Sequence, residues 1–124
     1  MRRTPVLLAT VLALFAAACG GANAGDACDK NGFLCADATA ALECKAGVWV
    51  SLPCRGPTGC TRVSDTIKCD MTQNNAGDNC ASTAEGKGLC NSIGTATLEC
   101  RQGVLVQTNT CKTCSVSGDQ VICQ

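Results

Sequence analysis

Thiols are the chemistry this sequence is richest in. Thirteen of its 124 residues are cysteine and none is histidine, so the reactions open to it are disulfide formation, thiol modification, thiol–disulfide exchange and all-thiolate metal binding. Without an imidazole, Ser-His-Asp and Cys-His catalysis are excluded, and so is every zinc site that uses His. An all-cysteine zinc site normally draws on two C-x-x-C pairs. This chain has one, Cys111-Lys112-Thr113-Cys114, and no metal or cofactor is expected. That motif also has redox spacing, yet no βαβ pattern surrounds it, and each of its thiols is expected to have a structural partner elsewhere.

Two carboxylates recur in register, Asp26 with Asp78 and Glu43 with Glu99. Paired carboxylates can hydrolyse glycosides, but each has a simpler explanation. An Asp after Gly starts a turn through its side chain, and Glu43 and Glu99 are expected on the solvent face of a strand beside Lys45 and Arg101. No catalytic residue is predicted. Two side chains have binding potential. Trp49, whose ring either packs in the core or stacks on a ligand such as a sugar, has Leu105 at the matching place. Arg55 opens "RGPTG" (55–59), a short loop between two cysteines of the kind that could present a side chain to a protease.

The elements that position these residues follow from an internal repeat. Twelve cysteines fall into two sets of six: Cys28, Cys35, Cys44, Cys54, Cys60 and Cys69, then Cys80, Cys90, Cys100, Cys111, Cys114 and Cys123. "AGDAC" (24–28) returns as "AGDNC" (76–80), "LECKAGVWV" (42–50) returns as "LECRQGVLV" (98–106), and both sets leave eight residues between the fifth and sixth cysteines. The chain therefore reads as two six-cysteine modules, 25–70 and 77–124, joined by the polar linker 71–76.

Within each module the repeated phrase predicts a β-hairpin. Leu42–Cys44 and Val48–Val50 are its strands and Lys45-Ala46-Gly47 a three-residue turn. A second hairpin is expected near the last two cysteines of each set, and no amphipathic helix follows the leader. The fold class expected is small, disulfide-rich and mainly β: two tandem hairpin-based modules behind a cleaved signal peptide. Modules under 50 residues with three aromatic residues in the whole chain bury too little to fold without staples. Pairing is expected inside each module, and six cysteines leave 15 connectivities open.

The remaining cysteine lies in the first 20 residues. Arg2 and Arg3 precede an apolar run from Val6 to Ala18, about 13 residues, short of the ~20 that span a bilayer. Small residues follow, as in an export signal. "FAAAC" (15–19) resembles the lipobox of bacterial lipoproteins. That resemblance implies a signal peptide over 1–18, a lipid on Cys19 as the new amino terminus, and a membrane partner through that anchor. Gly20 after the cysteine implies the outer membrane or cell surface by the family's sorting rule, with 19–24 as a flexible tether. The rival cut follows "ANA" (22–24) and releases a soluble, secreted protein from Gly25. Either cut leaves twelve thiols, an even number.

Without Arg2 and Arg3, eight basic residues face ten acidic ones, so no nucleic-acid partner is expected. The six-cysteine pattern with a Gly-turned hairpin is similar to chitin-binding modules of peritrophin type. That likeness implies carbohydrate as one ligand class and no site residue, since the chain has no Tyr. The function expected is an exported, lipid-anchored, disulfide-stabilised cell-envelope protein with a non-enzymatic structural or binding role. The alternatives are a secreted protease-inhibitor or toxin-like module and a weak carbohydrate-binding module.

Overall fold

The computed structural model describes residues 21–124. The expected signal peptide and Cys19 lie outside the described residues. Two modules of the same topology follow one another, each a three-stranded antiparallel sheet and then a two-stranded hairpin. In module one these are β1 (Phe33–Asp37), β2 (Ala40–Lys45) and β3 (Val48–Pro53), then β4 (Cys60–Val63) and β5 (Thr66–Cys69). Module two repeats them as β6 (Gly88–Cys90), β7 (Ala96–Arg101) and β8 (Val104–Thr110), then β9 (Cys114–Ser117) and β10 (Gln120–Cys123). The chain is mainly β and disulfide-rich, as its composition predicts.

The repeated phrase forms the β2–β3 and β7–β8 hairpins, with Lys45 opposite Val48 and Arg101 opposite Val104. The turn holds two residues, where three were expected. Ala46 and Gly47 have φ of 49° and 79°, and Gln102 and Gly103 have 52° and 78°. Two left-handed residues in succession make the tight turn whose twist matches that of the strands it joins. Lys45 therefore belongs to β2.

All twelve cysteines pair within their modules: Cys28–Cys44, Cys35–Cys60 and Cys54–Cys69, then Cys80–Cys100, Cys90–Cys114 and Cys111–Cys123. Both modules use the same order, first to third, second to fifth and fourth to sixth. Each staple closes a loop of 12 to 25 residues, for which chain-entropy reasoning gives ~3 kcal/mol. The cysteines of "CKTC" have different partners, so that motif is structural.

Each module also begins earlier than the cysteine-based boundary. The Asn23 N–H donates to the Asp26 carboxylate at 2.8 Å and the Asp26 N–H to the Asn23 carbonyl at 3.1 Å. Asn75 and Asp78 repeat the pair at 2.9 and 3.1 Å. The turn then hands its backbone to the hairpin: the Gly25 N–H donates to the Trp49 carbonyl and the Gly77 N–H to the Leu105 carbonyl, both at 2.8 Å. Asp26 and Asp78 are thus turn-forming side chains, as the Gly-Asp order suggests.

The cores are small. Ala41, Leu52, Cys54 and Cys60 bury together in module one, with Phe33, Ile67 and Cys69 against them. Cys80, Leu98, Cys100 and Leu105 do so in module two. Ala81 of module two packs on the first cluster, so the two modules touch.

Candidate functional site

The contact between modules is where the structure departs most from the sequence reading. Ala41, Leu42, Glu43 and Cys44 are all buried, which a strand with one wet face cannot be. One face of β2 is covered within its module by the Cys28–Cys44 staple, and the other, carrying Ala41 and Glu43, is met by module two. Glu43, expected in solvent, is 3% exposed. Its counterpart Glu99 keeps the expected position, a third exposed and paired with Arg101 at 3.2 Å.

A buried carboxylate must be hydrogen-bonded or paired, and module two supplies the donors. The Ser82 N–H donates to both Glu43 oxygens at 3.2 and 3.1 Å, and the Ser82 hydroxyl donates to Oε1. Lys45 sits 3.3 Å from Glu43 and donates to the Cys80 carbonyl at 3.2 Å. Along β3, the Asn79 side-chain amide donates to the Ser51 carbonyl at 3.0 Å. Where β3 ends, Arg55 grips Asp78 with Nε and Nη2 at 2.8 and 3.0 Å. That fork–fork pair is the geometry in which a guanidinium binds a carboxylate best. It holds the Asp78 carboxyl below its ordinary range, against the burial that opposes ionisation, and raises Arg55 in turn.

The linker completes the joint. Asn74 is fully buried. Its Nδ2–H donates to the Pro53 carbonyl at 2.7 Å and its Oδ1 accepts the Arg55 N–H at 3.0 Å. Just before it, Asp70 accepts the hydroxyls of Thr58 and Thr72 at 2.8 and 2.7 Å and both their backbone N–H groups at 3.1 Å. The Thr72 hydroxyl contributes most to drawing its carboxyl down to about 2, against burial, with the other three bonds helping. Gly56 packs so close to Asp70 that a methyl group there would overlap the carboxylate.

Beside this polar joint runs an apolar groove. One part, about 150 Å³, lies between Phe33, Leu52 and Ile67 of module one and Ala81, Thr83 and Ala84 of module two. It continues past Met71 into a part of about 330 Å³ walled by Ala84, Leu89 and Val116, with Lys87 and Asp70 among its lining residues. Its walls suit an aliphatic or aromatic side chain from a partner. No pair of carboxylates faces across it, and Asp70 is already engaged by Thr58 and Thr72.

The sequence-predicted binding residues lie elsewhere. Trp49 is half-buried opposite Cys44 in the strand register, and its backbone N–H donates to the Asp26 carbonyl at 2.9 Å. Leu105 in the same place is 1% exposed in its module's core, whereas Trp49 lies outside the buried cluster of module one. Arg55, read as a side chain presented to a protease, is instead committed to Asp78, and its loop is braced by Asp70. The groove residues and Asn74, Asn79 and Ser82 went unnoticed in the sequence. Their signal was present in the differences between the repeats: Asn74, Asn79 and Ser82 stand where module one has Ala22, Ala27 and Lys30.

Compared with known proteins, the chain matches no family model, no curated protein sequence and no solved structure.

Proposed function

We propose that this chain is an exported, lipid-anchored cell-envelope protein with a non-enzymatic structural or binding role, and that Cys19 carries the lipid. The observation that supports this reading is where module one begins. Asn23 and Ala24 belong to the turn closed on Asp26, and the Gly25 N–H is bonded to Trp49. Cleavage after Ala24 would discard half of that turn and turn the Gly25 amide into a charged terminus. Cleavage before Cys19 leaves the turn whole and a tether of residues 19–22. Twelve paired thiols in the modules leave Cys19 as the thiol to be modified. The intermodule groove is the surface best suited to a binding role, for an apolar side chain of a protein partner.

The non-enzymatic reading is supported by how the acidic residues are spent. Asp26, Asp70 and Asp78 close turns or loops, Glu43 seals the module joint and Glu99 pairs with Arg101. The test is the intact mass of the mature protein from a lipoprotein-processing bacterial host, with partition into detergent. A chain starting at Cys19 with added acyl mass is expected, and Cys19→Ser should move the protein to the aqueous phase. A mature chain starting at Gly25 without lipid would refute the anchor.

A further inference from the structure

The two modules are repeats, yet the surface that joins them is built only once. On module one the receiving face is Phe33, Ala41, Leu52 and Ile67, flanked by Glu43, Lys45 and Arg55. Strand register and cysteine order place Gly88, Thr97, Asn109 and Val121 at the same four positions of module two. The aromatic ring is gone. Ala41 and Leu52 have become the polar Thr97 and Asn109, and the Thr97 hydroxyl bonds that of the extra residue Thr108 at 2.7 Å.

Module two also carries one residue more between its third and fourth cysteines. The register shift between Thr97 and Leu98 absorbs it. Such a bulge bends and twists a strand locally, and Lys112, which stands in the place of Arg55, lacks the guanidinium fork that grips a carboxylate. Glu99 and Arg101 remain, but they satisfy each other.

The inserting side is likewise present once. Asn74, Asn79 and Ser82 supply the side-chain hydrogen bonds that the start of module two makes to module one beyond the ion pairs. Module one has Ala22, Ala27 and Lys30 there, which lack the amide and hydroxyl groups that make those side-chain bonds. Its Asp26 keeps the turn and no more.

Repeat arrays stay soluble only if their terminal units carry polar outer faces. A head-to-tail contact that did not close would otherwise propagate into filaments. We infer that the face of Phe33, Ala41, Leu52 and Ile67 is a docking surface for the start of a following module, that it is used once within the chain, and that its counterpart on module two is closed, so the array ends at two rigidly joined modules. This inference does not depend on lipidation.

The test uses the full chain without its leader, oxidised, in solution. Sedimentation equilibrium should give the monomer mass at every concentration, and backbone ¹⁵N relaxation should give one tumbling time for both modules. Glu43→Gln with Arg55→Ala should split that into two shorter times, while Glu99→Gln with Lys112→Ala should leave it unchanged. All six disulfides form within modules, so peptide mapping without reduction that recovers the same six pairs verifies that each variant has folded. Concentration-dependent association of the wild-type chain would overturn the inference. So would a single tumbling time in the first variant, or an equal loss of it in the second.

Discussion

Asn74 and Asn75 are neighbours of the same type, and the structure assigns them very different energies. Replacing Asn74 by Ala removes the acceptor of the Arg55 N–H and the donor to the Pro53 carbonyl at one stroke. Both lie where β3 leaves its sheet, partly covered by the linker. An orphaned backbone group of this kind costs about 1 kcal/mol when partly hydrated and up to ~3 when dry. Two of them beneath a fully buried side chain should cost about 2–3 kcal/mol. Asn75→Ala loses only an exposed bond from the Ser92 hydroxyl at 2.8 Å and should stay within ~0.5 kcal/mol. Guanidinium unfolding of the oxidised chain, followed by Trp49 fluorescence, measures both. Amide exchange at Arg55 and Gly56 should rise in the first variant alone. If the two substitutions cost the same, the linker is not a structural part of the joint and the reasoning fails.

Four further outcomes are expected. Peptide mapping without reduction should recover Cys111 linked to Cys123 and Cys114 to Cys90; a Cys111–Cys114 fragment would contradict the fold. Asp70 is held at about 2, below its unfolded range, so its stabilisation is present above about pH 4 and is lost as pH falls through 2. After allowance for solvent screening this amounts to ~1 kcal/mol, and Asp70→Asn should remove that limb from an acid titration of stability. Ala46 is an exposed residue with φ of 49°, so Ala46→Gly should raise the denaturation midpoint by the equivalent of ~0.5–1 kcal/mol, whereas Gly59→Ala, whose methyl would overlap the Ala38 carbonyl, should prevent module one from forming its three disulfides.

Much of the fold was legible because it is written locally and twice. A hairpin needs a turn that tolerates left-handed residues and a return strand that favours extended backbone, and both copies of the phrase supply them in Ala46-Gly47 and Gln102-Gly103 followed by Val48-Trp49-Val50 and Val104-Leu105-Val106. Its turn was read one residue too long, since Lys45 and Ala46 look equally turn-like until pairing with Val48 is seen. Complete sets of six cysteines implied closure within each module. The candidate site was far less legible. Alternation along Leu42-Glu43-Cys44 correctly put Glu43 on the opposite face from its neighbours, but alternation says only which residues share a face, and what covers that face lies 39 residues away at Ser82.

By itself, then, the sequence determined the number of modules, their hairpins, the need for staples and the absence of histidine chemistry, because each depends on composition or on residues within a few positions of one another. Only the tertiary structure decided which of 15 connectivities joins the six thiols, that Arg55 and Asp78 clasp two modules, and that Asn74 is buried. Those outcomes depend on which surfaces meet once the chain has turned back on itself. Loop closure grows costlier only slowly with separation, so spacing alone ranks no distant pair above its rivals, and packing makes the choice.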